Sequence, residues 1–495
     1  MLIWLPVTLA MAAVTPPSPA STRAIGSIAP IHAMPALAGV AAWRWAGGRW
    51  RRIGRLAVAG AGAALLAGNA AWTVRDYFFV WPANPEVRTI YRADLAAVAR
   101  YLDQARPEGS VLISARFAAD LDRQTFDYML EREREIKWFD ARRALVIPTL
   151  HAEAPLTYAF PRTDPAPPAS REFLMAAAPQ VELLADCSGA PAAELFRLTP
   201  AGAEVLQEAF QRRPGRELSV NLGDEIDLLG YDLPDAVPAG SPIDLRVYWR
   251  VRRGGRGDLR YAFFAHVLDE RGFRWTQDDP TGFPPNSWWA GDLVIQSFEL
   301  TMPADAPPGP YSLDLGFYEQ GSGRRLAQVR ADGSVGPDAL HLGPIAAVDG
   351  RRPAAEELSI TERVDADFGE RIRLIGYDIG DRILNLEERV EVALTWEALA
   401  GGAGDVEIEL SLTSEDGETL PLLRRRLVDG AYPLHEWPAG RVTRDRFWLI
   451  HESHIPRAVY TLHLAVRDRA TGEYLETAGG RAISLGQVFM RGLRE

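Results

Sequence analysis

The chain is expected to be a multidomain α+β protein, with transmembrane helices at its N-terminus, a small α/β domain, and then two tandem antiparallel β-sandwich domains. Three observations predict this. No Asp or Glu occurs before Asp76, in a region dominated by apolar runs. The next stretch alternates helical and strand-like patterns, which reads as an α/β layer. Finally, one apolar frame ending in Gly-Tyr-Asp is written twice, as LGDEIDLLGYDL at 222–233 and FGERIRLIGYDI at 368–379. That spacing is too long for a solenoid repeat or a propeller blade, and it predicts a duplicated domain. With 495 residues the chain has room for three or four cores.

Residues 1–80 are expected to be transmembrane helices at about 2–14, 25–43 and 56–74. The last two runs are long enough to cross a hydrocarbon core of about 30 Å. The first is too short and has no basic residue ahead of it, so it is read as a helix whose beginning is missing rather than as a signal peptide. Arg44, Arg49, Arg51, Arg52 and Arg55 lie between the second and third runs. The positive-inside rule puts that loop in the cytoplasm and everything after about residue 75 outside the cell membrane, in a multi-pass arrangement. Trp72, Tyr77, Phe78, Phe79 and Trp81 are placed as an interfacial aromatic belt. Gly60, Gly62 and Gly68 read either as a helix-packing face or as loosening residues.

The formal net charge is -12, which argues against nucleic acid as a partner. Cys187 is the only cysteine, so neither an intramolecular disulfide nor a Cys-based metal site is expected, and no cofactor is expected either. Lys137 is the only lysine among many arginines.

Residues 84–210 are expected to form the membrane-proximal α/β domain. Leu95, Val98, Ala99 and Leu102 fall at helical spacing before Pro107 and Gly109. A strand at 111–115, a helix at about 118–131 and buried strands at 144–148, 156–160 and 181–185 follow. The segment has no Gly-rich phosphate loop, nucleophile elbow or CxxC. His151, just after a strand, is read as a surface residue rather than a catalytic one.

The sandwiches are expected at 215–348 and 360–491, joined by a linker at 349–353. Ile243, Leu245, Val247, Trp249 and Val251 alternate with polar or amphipathic neighbours, and Val390, Val392, Leu394 and Trp396 answer in the second copy. Tyr311, Leu313, Leu315 and Phe317 correspond to Tyr460, Leu462, Leu464 and Val466. Many short strands with Gly/Pro turns predict two packed sheets in each copy. One difference stands out. Ala262, Phe264 and Leu268 are apolar where the second copy turns Glu407, Glu409, Ser411 and Thr413 outward. The loop at 275–292, a neighbouring domain or a ligand is expected to cover them.

That loop, WTQDDPTGFPPNSWWAGD, supplies the candidate carbohydrate-binding residues: Trp275, Trp288 and Trp289 as flat apolar faces, and Asp278 and Asp279 as hydroxyl acceptors, with His266 on the adjacent strand. The alternative is that the tryptophans plug the sandwich and the aspartates cap turns. His451 and His454, in HESH, face opposite ways if extended and are not read as metal ligands.

The frame GYDL (230–233), QDD (277–279), WWAGD (288–292), PPGPYSLDLGFYE (307–319) and Arg325-Leu326, following membrane helices, resembles the C-terminal part of bacterial membrane glycosyltransferases related to protein O-mannosyltransferases, glycosyltransferase family 39. The resemblance implies an extracytoplasmic module beside an enzyme that uses a lipid-linked sugar, with acidic residues in an early outer loop. Here the loop at 15–27 has no carboxylate to act as base, so no catalytic residue is carried over. The expected function is a membrane-anchored extracytoplasmic portion of a glycosyltransferase-like protein that presents or recognises glycan or acceptor. Its expected partners are the lipid bilayer, a glycan or lipid-linked sugar, and a polytopic membrane protein. The alternatives are a membrane-tethered carbohydrate-binding protein and a rigid spacer or assembly module.

Overall fold

The computed structural model describes residues 28–46, 51–116, 122–130, 136–149, 154–255, 257, 259–354, 357–385, 388–450 and 455–491. The expected first membrane run, His151, His451 and His454 lie outside them. The chain divides into two units, one ending at Ala93 and one beginning at Asp94.

In the first unit, Ile28–Ala46 and Arg51–Arg75 are helices, and the second continues through a π-turn to Ala83. Gly54 lets the helices meet, since a Cβ there would lie 2.9 Å from the Ala46 carbonyl oxygen. Only Arg52–Ala83, among the described residues, is long and apolar enough to cross a membrane. At 1.5 Å per residue it spans ~48 Å, more than the hydrocarbon core. Ile28–Ala46, which contains His32, Pro35 and Arg44, falls short of that standard. The multi-pass expectation therefore reduces to one candidate span. Trp72, Tyr77, Phe78, Phe79 and Trp81 are exposed, with Tyr77 stacked on Trp81 at 5.5 Å. Nothing lies within 4 Å of a Cβ built at Gly60, Gly62 or Gly68.

The second unit opens with a five-stranded sheet in the order Ile136–Phe139, Ser110–Ser114, Leu156–Pro161, Pro191–Leu198, Gln180–Ala185. Its first three strands are parallel and the last two antiparallel. Ser110–Ser114 is buried on both faces, as its unbroken apolar run requires. Val111 and Ile113 pack on helices Ala93–Ala105 and Arg123–Met129. Leu112 faces the other way, into a core shared with the first sandwich.

That shared core arises because the strand Ala144–Ile147 leaves the α/β sheet. It pairs antiparallel with Leu293–Ser297 and becomes the sixth strand of a sandwich sheet. Gly291 permits the close approach: φ is +95°, and a Cβ would lie 2.5 Å from Thr149 Oγ1. Tyr158 then donates its hydroxyl to the Val146 carbonyl at 2.8 Å. The facing sheet of this sandwich contains Tyr261–Asp269, Gly309–Glu319 and Leu340–Val348. The second sandwich pairs a four-stranded sheet with a five-stranded one around its own core.

Side-chain details repeat between the copies. Trp249 and Trp396 are fully buried at equivalent strand positions. Trp288 Nε1 donates to the Phe283 carbonyl and Trp437 Nε1 to that of Tyr432, each five residues back. The Tyr311 and Tyr460 hydroxyls donate to Pro307 and Pro456 carbonyls, each four residues back.

Each sandwich also uses the same edge to seat the segment before it. On the first, the edge of Leu293–Ser297 takes Ala144–Ile147. On the second, the edge of Val442–Ile450 meets the first sandwich: Arg444 N–H donates to the Asp305 carbonyl, and the Arg446 carbonyl accepts from Arg271, both at 2.8 Å. Phe273 stacks on Trp448, and the Arg446 guanidinium covers Phe273 and Trp275. Each copy has a Trp-x-x-Gly turn, at 288–291 and 437–440, and the residue after it carries a charge in both. It is Asp292 in the first, bonded to Lys137, and Arg441 in the second, donating to the Ala306 carbonyl.

Lys137 is 2% exposed and Asp292 0%, with Nζ 2.5 Å from Oδ2 and 3.8 Å from the Trp289 ring centre. Removing one partner of a buried pair leaves an unpaired charge in a low-dielectric site. Lys137→Ala is expected to lower unfolding free energy by about 3–5 kcal/mol in urea titration of the detergent-solubilised chain. Lys137→Met with Asp292→Leu is expected to cost much less, because neither charge is then left unpaired.

Candidate functional site

Parallel strands open a crevice beyond their carboxyl ends. Here Ser110–Ser114 ends at Ala115 and Arg116, and Ile136–Phe139 ends at Asp140. The first sandwich closes the other side with 280–286 and with Leu259, Arg260 and Gln320, leaving a cavity of about 630 Å³.

The turn at 140–143 builds the basic side. Asp140 N–H donates to the Gly282 carbonyl at 2.7 Å, which joins the two walls. Gly282 has φ +65°, where a larger side chain is strained, and a Cβ there would lie 2.6 Å from Gln296 Nε2. The Asp140 carboxylate receives Arg142 through Nε at 3.1 Å and Nη2 at 2.6 Å. This hydrogen bonding holds Arg142 above the usual guanidinium pKa. Arg143 forks to Asp278 at 2.6 Å and Glu299 at 2.8 Å. Arg116 is held only loosely, 4.0 Å from Asp164. Pro284 and Leu259, both half-buried, supply apolar surface between these charges, over a buried layer of Phe139, Pro280 and Pro285.

The loop singled out in the sequence therefore forms one wall, but its candidate residues do other work. Trp288 is 1% exposed and stacks among Trp249, Tyr261 and Phe317, with no face left for a ligand. Trp275 is 8% exposed, donates to Asp269 and lies under Arg446. Trp289 is half-buried over Lys137. Asp278 accepts from Arg143 and from the Glu299 N–H. Asp279 faces His266 Nε2 and the Tyr318 hydroxyl, each at 3.4 Å. None of the six lines the crevice.

One residue of the apolar strand face, Phe264, is accounted for, whereas Leu268 stays half-buried beside a second cavity. Phe264 lies across Gly316, where a Cβ would come within 2.6 Å of its ring, and Arg325 sits over it at 4.5 Å. The chain itself covers Phe264. Sequence reasoning missed the crevice arginines because they come from three separated stretches. The DARR at 140–143, directly after a strand, was the available signal.

Among the described residues, no group of three or more His, Cys, Asp or Glu side chains is placed to hold a metal ion. No protein-family model matches the chain, and no curated protein does. Among solved structures, a Niemann-Pick type C2 protein from Japanese carpenter ant is 9% identical, over 27% of this chain and 98% of that one, with a TM-score of 0.19. The C-terminal domain of wzt is 12% identical, over 26% of this chain and 77% of that one, with a TM-score of 0.20. A Bacteroides uniformis β-glucuronidase is 10% identical, over 49% of this chain and 26% of that one, with a TM-score of 0.16. At these values the likenesses carry no argument about fold or activity.

His266 supplies a pH dependence. Burial pushes its pKa below the usual histidine value, against the opposing pull of Asp279. The folded state therefore binds the proton less readily than the unfolded chain, and its stability is lost as pH falls through about 6.5. Urea midpoints are expected to drop from neutral to mildly acidic pH, and His266→Gln is expected to shrink that drop.

Proposed function

We propose that the chain is the membrane-anchored extracytoplasmic portion of a glycosyltransferase-like protein, recognising glycan or acceptor at the membrane face without a catalytic centre of its own. The observation that carries this reading is the crevice. Its arginines, Asp140, Asn286 and Gln320 offer donors and acceptors for hydroxyls, and half-buried Pro284 and Leu259 offer apolar surface for sugar C–H groups. Such a mixture of apolar walls and a few convergent polar groups suits a small ligand. Sidedness is supported by the arginines at 44–55 and by the exposed aromatic residues that end the span. In the full reading the anchor is multi-pass and works beside a polytopic membrane partner that supplies the lipid-linked sugar and the catalytic base.

A second reading, a rigid spacer or assembly module, is favoured by one observation: each sandwich seats the preceding segment on the same edge. A glycan array probed with the full-length chain in detergent separates the two. Recognition is expected to give binding to a defined glycan class that falls at least about tenfold in Arg142→Ala, which removes a charge-assisted donor. A blank array, or binding indifferent to Arg142, would leave only the spacer.

A further inference from the structure

We infer that the group recognised in the crevice is an anion, a carboxylate or phosphate carried by a saccharide. This rests on the reading of the crevice as the glycan site and names the charge of what it takes. The described lining residues include four arginines, Arg116, Arg142, Arg143 and Arg260, against one acid, Asp140. Arg142 and Arg143 are committed internally, and Arg260 is not free either. Arg142 is bidentate on Asp140, and Arg143 is shared between Asp278 and Glu299. Their remaining N–H groups can still donate to a glycan hydroxyl, but their charge is already met by these acids.

Arg116 is different. Among the described residues its nearest acid is Asp164 at 4.0 Å, beyond hydrogen-bond distance, and the Asp164 side chain is itself 4% exposed. The Arg116 side chain is 46% exposed, directly past the end of the central parallel strand. Its fork therefore has N–H groups turned to water that can exchange it for a planar or tetrahedral anion. Guanidinium matches both shapes with two parallel hydrogen bonds. A neutral hydroxyl reaching the same place gains a hydrogen bond without the charge assistance. The half-buried Pro284 and Leu259 surfaces in the same crevice fit a sugar ring carrying the anion better than a bare ion. A nucleic acid is disfavoured by the chain's net charge of -12.

The test uses the full-length chain in detergent micelles and matched glycans differing only in one group: a uronic acid, a sugar phosphate and the neutral parent, with inorganic phosphate as a fourth probe. The anionic members are expected to bind about tenfold more tightly than the neutral parent, the ratio of charge-assisted to neutral hydrogen bonding. That preference is expected to shrink at high salt, to vanish in Arg116→Ala and to survive in part in Arg116→Lys. A preference for the phosphate alone assigns the ligand to sugar phosphates, including lipid headgroups. A preference for the carboxylate alone assigns it to acidic glycans. Equal binding of the neutral parent, or discrimination unchanged in Arg116→Ala, overturns the inference while leaving glycan recognition intact. Inorganic phosphate matching the sugar phosphate overturns the saccharide requirement. Binding of none of the probes removes both the inference and the reading beneath it.

Discussion

A single buried ion pair, Lys137 with Asp292, constrains the arrangement of everything around it. Taking two charges out of water is costly, and their attraction offsets this only when geometry is close and further hydrogen bonds are made. Here both conditions hold. Asp292 also accepts the Trp289 N–H at 2.8 Å, and the ammonium lies against the Trp289 ring. A lysine on Ile136–Phe139 thus meets an aspartate at the head of Leu293–Ser297, and sliding either strand would strand a charge in the core. The pair therefore fixes where Ala144–Ile147 adds to the sandwich. That placement in turn brings the turn at 140–143 against Gly282 and creates the crevice.

The duplicated sandwich shows how one scaffold acquires two neighbours. Both copies keep the buried tryptophans, the indole bond to a carbonyl five residues back and the tyrosine bond four residues back. They differ in the charge after the turn. Asp292 suits the lone lysine of the α/β layer, whereas Arg441 suits a backbone carbonyl and Asp349. Exchanging the two would place like charge against Lys137, so the swap in sign also discriminates between neighbours.

Strand content was legible wherever one face is buried, because the period-two pattern of 243–251 and 390–396 follows directly from a core face with Trp249 and Trp396 at its centre. The destination of 144–147 was not legible. A short apolar run pairs equally well with any open edge, and its partner is far along the chain. The crevice was hidden for a related reason, since Arg116, Arg142 and Arg260 share no local pattern. The aromatic loop was conspicuous because it is rich in tryptophan, yet a tryptophan in a core and one on a binding face look the same in a sequence. Ile28–Ala46 reads as helix correctly, but its Pro35 and Arg44 weaken the membrane signal that its length suggests.

The central claim is that the α/β layer and the first sandwich are one cooperative body joined through this pair and its strand. Amide hydrogen exchange on the full-length chain tests it most directly. The account predicts that Ala144–Ile147 and Ile136–Phe139 are protected as strongly as Leu293–Ser297 and open in the same event. Exchange of the first two strands at a clearly lower opening free energy, with Leu293–Ser297 still protected, would contradict it.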